Sequence, residues 1–193
     1  MKLRWLAAAM TVAVVGLSGT LAFSDDDRGD RRRGTQGWLE GLAAPTGVKP
    51  VDNPLYAAEC GSCHFAYQPG LLPEASWRKL MSGLAEHFGE NAELSPEAQQ
   101  LLTDYLIENA AERDSGKIAR GILRTAVQQG EPVQRITETG YFLRQHDELP
   151  ARVWRDNPQV GSMSNCSACH TKADNANFDE RQVKIPGVGR WED

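Results

Sequence analysis

Four cysteines and two histidines fall into one spacing that occurs twice, Cys60-Gly61-Ser62-Cys63-His64 and Cys166-Ser167-Ala168-Cys169-His170. Two intervening residues hold a pair of thiols at the separation of the two vinyl groups of one porphyrin. Each thiol can then add across a vinyl to form a thioether, and the histidine that follows turns its imidazole under the ring toward the iron. C-x-x-C-H is the attachment pattern of c-type haem. Two plainer readings compete, since a single C-x-x-C can be half of a zinc site or a redox dithiol. A cysteine-only zinc site leaves both adjacent histidines without a purpose, and a dithiol does not need a second copy. The motifs use all four cysteines of the chain, so no thiol remains for a disulfide.

Haem iron takes four porphyrin nitrogens and leaves two axial positions. The chain has four histidines, and outside the motifs only His87 and His146 remain, one in each half. The simplest assignment puts His87 with His64 on the first iron and His146 with His170 on the second. Methionine is the competing ligand. Met1 and Met10 lie in the N-terminal apolar run, which leaves Met81 and Met163. Met81 sits nearly two helical turns from His87 and reads as a packing residue. Met163 is too near Cys166 to reach the far face of the same haem, although it could serve the other. Crossed ligation, His146 to the first iron and His87 to the second, is also compatible with the sequence.

Ligand type decides the chemistry. Two protein ligands on each iron exclude dioxygen and peroxide and leave outer-sphere electron transfer. Two imidazoles also set a lower potential than imidazole with thioether. No residue is then catalytic in its own right. A dihaem enzyme of the peroxidase kind, or a gas-binding sensor, would instead need one displaceable axial ligand. Arg78, Arg113, Arg120, Arg124 and Arg144 are candidate partners for haem propionates, although each taken singly reads more readily as a solvated surface charge.

The elements that must position these groups are helical. Asn53-Pro54 offers an N-cap and a proline at the first helical position, starting a short helix that delivers Cys60. From Pro73 to Phe88, the residues Trp77, Leu80, Met81, Leu84, His87 and Phe88 recur at helical spacing on one face. Ser95-Pro96-Glu97 starts a further helix, continued by Leu101, Leu102, Tyr105 and Leu106. Asp114-Ser115-Gly116 reads as a boundary. Lys117 to Val127 is a helix that Gly121 weakens. Residues 138–146 form a short helix capped by Thr137, with Phe142 and His146 on one face. The tail, with Phe178, Val183, Ile185 and Trp191, can wrap a haem edge without regular structure.

These elements give a mostly α fold of two small helical c-type haem domains with extensive loops, at 53–113 and 114–193. Residues 1–22 read as an export signal: Lys2 and Arg4, an apolar run from Trp5 to Leu17, then small residues at Thr20 and Ala22. Gly16, Ser18, Gly19 and Thr20 leave that run short for a membrane span of about 20 residues, so cleavage is favoured over an anchor. Either way the rest of the chain is expected in the periplasm, with no stable membrane insertion once the signal is removed. Residues 23–52 are a charged linker followed by an extended lead-in segment. The formal charge of −5, more negative without Lys2 and Arg4, argues against nucleic acid as a partner.

Beyond the motifs, several segments carry a family likeness. Trp77, Leu80-Met81, His87-Phe88-Gly89-Glu90, Arg135-Ile136-Thr137-Glu138-Thr139, Phe142, His146 and Ile185-Pro186 occur in an order that resembles the bacterial periplasmic dihaem cytochrome c family, DHC. The resemblance runs from about Tyr56 to Pro186. It implies two covalently attached c-type haems, both low-spin and bis-histidine, in a mostly helical fold. It also implies a role in electron donation, with a small oxygen-binding c-type cytochrome as acceptor and a membrane cytochrome b as donor.

Overall fold

Asn53 caps the first helix of the described residues by accepting a hydrogen bond from Tyr56 N at 3.0 Å, with Pro54 at the first helical position. Helix α1, Pro54–Glu59, ends at Cys60, so the first thiol leaves from a helix end. The structure is a computed structural model, and it describes residues 47–129 and 131–191. The export signal expected at 1–22 and the charged run after it lie outside the described residues.

Helix α2, Glu74–Met81, is shorter than the apolar stripe predicts. It stops at Ser82, whose hydroxyl donates to Lys79 O, and at Gly83, a poor helix former. The chain then makes a 3-10 turn at Leu84–Glu86 and reverses at His87. The helix expected through Phe88 is therefore two elements, and His87 is presented by a turn. Helix α3, Pro96–Glu108, begins as expected, with Ser95 accepting from Ala98 N. Helices α2 and α3 pack around Tyr56, Trp77, Met81, Leu102 and Leu106, all buried.

Helix α4, Lys117–Gln129, packs on helix α5, Gly140–Gln145. Gly121 is the contact point: a Cβ there would overlap ring carbons of Tyr141. The weak helix former is present because the ring needs the space. The cap of α5 is Thr139, which accepts from Phe142 N at 3.2 Å, and not Thr137, which lies in the 3-10 turn Ile136–Glu138. Two short helices come next, α6 at Ala151–Trp154 and α7 at Cys166–Cys169, with 3-10 turns at Ala173–Asn175 and Glu180–Gln182.

The described residues contain helices and isolated bridges such as His170 with Val183, and no strand. They belong to one compact unit, Ala43–Asp193. Two further apolar clusters lie inside it. One joins Val48, Leu71, Ala111, Ala119, Ile122 and Ala176; the other is Val153, Val160 and Ile185. Asp114, in the segment read as a boundary, is only 6% exposed and accepts from Lys49 N and Gly116 N, each at 2.7 Å. That segment is a packed joint, and it fastens the lead-in stretch that contains Val48. Among the described residues no helix is long and apolar enough to cross a membrane.

Candidate haem sites

None of the four motif cysteines is joined in a disulfide, so all four are available for thioether bonds. Burial pushes the thiols of Cys60 and Cys166 up to about 11, which keeps both uncharged. At the first site the rings of His64 and His87 lie 6.2 Å apart between centroids, with planes 18° from parallel. At the second, His146 and His170 lie 6.2 Å apart with planes at 74°. A metal–imidazole bond is about 2 Å and a ring centre lies roughly 1.1 Å behind its nitrogen, so trans imidazoles on one ion have centroids about 6 Å apart. Both pairs have the spacing of one iron between them, and the structure brings His87 to His64 and His146 to His170.

Hydrogen bonds orient two of the rings. Carbonyl oxygens only accept, so His64 Nδ1 donates to Phe65 O at 2.7 Å and His146 Nδ1 donates to Phe142 O at 3.0 Å. In both, the tautomer leaves Nε2 with its lone pair free for a metal. The Phe142 ring also stacks on His146 at 3.9 Å and 13°, fixing its plane. Burial lowers the pKa of His87 and His146 and holds His170 down to about 4; the neighbouring His64 and Arg135 add to the effect at His87, and His146 adds to it at His170. Neutral imidazole, the ligating form, is thereby favoured. His170 Nδ1 is buried without a hydrogen-bond partner.

His87 owes its position to an unusual turn. Its N–H donates to Glu90 O at 2.8 Å while Glu90 N returns a bond to His87 O. Phe88 takes φ +57° and Gly89 φ +99°, a left-handed pair that glycine eases. The guanidinium of Arg135 lies 3.9 Å from the Phe88 ring centre and covers this turn. Around the second site a cavity of about 620 Å³ is lined by Cys166, Cys169, His170, His146, Met163 and Trp191, among others. That volume suits a cofactor. Met163 therefore sits beside the second site, while Met81 is a buried core residue.

Three of the five candidate arginines have partners on the protein surface. Arg78 and Arg113 both pair with Glu74, at 2.8 and 2.9 Å, and Arg120 donates to Ser115 O. Arg144 does line the second cavity, together with Arg181 and Arg190, which sequence reasoning missed. It missed Arg135 too, although that residue belongs to one of the telling family segments. Tyr67 was also overlooked; its ring centre lies 5.1 Å from that of His64.

The residues present fit two c-type haems: paired cysteines outside any disulfide, Nε2 of His64 and His146 left available, facing rings at metal-bridging distance and an apolar cavity at the second motif. Comparison with known proteins agrees. The Dihaem cytochrome c (DHC) family model matches residues 56–178. A diheme cytochrome c from Shewanella baltica OS155, known from its X-ray structure, is 44% identical, with a TM-score of 0.60 over 72% of this chain and 98% of that one. A diheme cytochrome c from Rhodobacter sphaeroides is 40% identical, with a TM-score of 0.58 over 67% and 99%. No curated protein matches. With its two attachment motifs inside the matched region and its helical fold shared with solved relatives, the chain belongs to the dihaem cytochrome c family and carries two c-type haems.

Proposed function

We propose that the protein is a periplasmic electron carrier in which both irons are closed by histidine pairs, His64 with His87 and His170 with His146. The observation that carries this reading is the 6.2 Å centroid separation in both pairs. Haem supplies a one-electron ferric–ferrous couple when bound. The chain's part is to favour the neutral form of His87, His146 and His170 through burial, to aim Nε2 of His64 and His146 through bonds to Phe65 O and Phe142 O, and to keep exogenous ligands off the iron. Closed irons favour a relay over a peroxidase or a gas sensor. One haem lies on each side of Asp114 in this reading. Location in the periplasm rests on the apolar N-terminal run and on c-type attachment. A small oxygen-binding c-type cytochrome as acceptor and a membrane cytochrome b as donor rest on the family resemblance alone.

The test is exposure of the fully reduced protein to carbon monoxide. The expected outcome is an unchanged absorption spectrum at both haems. Carbon monoxide binding at either haem would replace the relay reading with a sensor or an enzyme.

A further inference from the structure

Two consecutive residues tie the first haem motif to the second. Tyr67 lies three positions after His64, and its hydroxyl donates to Ser164 O at 2.8 Å across 97 residues of sequence. Gln68 is buried, and its Nε2 donates to Ala173 O at 2.8 Å across 105. Ser164 precedes Cys166 by two residues; Ala173 follows His170 by three, and its N–H donates to His170 O. The pair thus grips the second attachment motif from both ends.

Tyr67 does more than grip. Its ring lies 5.1 Å from the His64 ring between centroids. The Ser164 carbonyl that accepts from its hydroxyl also accepts from Cys166 N at 3.0 Å and lies 3.6 Å from Cys166 Sγ. Tyr56 Oη donates to Tyr67 O at 2.7 Å, which fixes the backbone at this point to the helix that delivers Cys60. A short sequence of contacts therefore runs from an imidazole of the first site, through one phenol and one carbonyl, to a thioether sulfur of the second.

We propose that Tyr67 couples the two haem sites, setting their relative placement and carrying electronic contact between His64 and Cys166. This rests on the reading of both sites as closed haems. The electron lost at one site is the electron gained at the other; no bond forms or breaks, and Tyr67 keeps its proton.

The test uses the holoprotein with Tyr67→Phe, which keeps the ring and removes the bond to Ser164 O, and Gln68→Leu, which cuts the other tie. Three quantities are read: the Soret circular-dichroism couplet, which reports the mutual orientation of the haems; the inter-haem electron-exchange rate in half-reduced protein, from exchange broadening of haem methyl resonances; and the spin state of each iron. Tyr67→Phe is expected to slow exchange several-fold and alter the couplet with both irons still low-spin, while Gln68→Leu leaves the rate near wild type. An unchanged rate in Tyr67→Phe overturns the proposal, because the haems then exchange without it. Equal slowing in both variants also overturns it, since general loosening would explain the loss. A high-spin iron in the wild-type protein would instead sink the closed-iron reading, which separates the two failures.

Discussion

His146 and His170 face each other with ring planes 74° apart, whereas His64 and His87 face each other at nearly the same separation only 18° from parallel. Each imidazole donates into the iron d orbital that its own plane selects. Two parallel rings act on one orbital and split the degenerate pair; two crossed rings act on both and leave the pair nearly degenerate. The ferric protein should therefore give two distinct low-spin EPR signals, one rhombic and one with a large, strongly anisotropic maximum g value. A single signal from both irons would show that the rings rotate when haem binds.

His87→Ala should turn one haem high-spin and leave the other low-spin, and His146→Ala should do the reverse. Magnetic circular dichroism of each variant reads both irons at once. A variant that stays wholly low-spin would mean that the histidine is not the ligand or that a methionine has replaced it, with Met163 the nearer candidate at the second site.

Much of the fold and site is legible locally. The thiol spacing, the Asn53 and Ser95 caps and the Phe142–His146 pair are settled within a few residues of chain. The His87 turn is not legible, because Leu84 and His87 continue the helical spacing of Trp77 and Met81 even though Ser82 and Gly83 break the helix between them. Thr137 and Thr139 both look like caps; only the 3-10 turn at Ile136–Glu138 selects the second. Tyr67 and Arg135 are out of reach for another reason. Their partners are far along the chain, and no local pattern marks a bond from residue 67 to residue 164.

Arg135 places a positive charge over Phe88 and beside His87. Arg135→Gln should lower the midpoint potential of the first haem, since removing a cation favours the ferric state, and leave the second haem unmoved. The lost cation–π contact costs about 0.5–1 kcal/mol of stability. Potentiometric titration followed at both haems checks the asymmetry, and an equal shift in both would contradict it.

Gly121→Ala drives a methyl into the Tyr141 ring and should destabilise the protein by about 1–3 kcal/mol. Urea denaturation followed by tryptophan fluorescence measures it. Ligation of the first iron in the folded variant should be normal, and any spectral change should fall on the second haem, because Tyr141 lines the second cavity.

Asp114→Ala leaves the part-buried Lys49 N and the buried Gly116 N without their shared acceptor, at a cost of about 1–3 kcal/mol. Asp114→Asn keeps one acceptor oxygen and should lose less. Equal stability of Asp114→Ala and wild type in urea would show that the joint does not depend on this carboxylate.

Closure of both irons by histidine pairs is tested most directly by the low-temperature EPR spectrum of the pure ferric protein, integrated against its haem content. Low-spin signals alone are expected, accounting for two irons per chain. A high-spin signal near g = 6 amounting to one iron per chain would contradict bis-histidine closure.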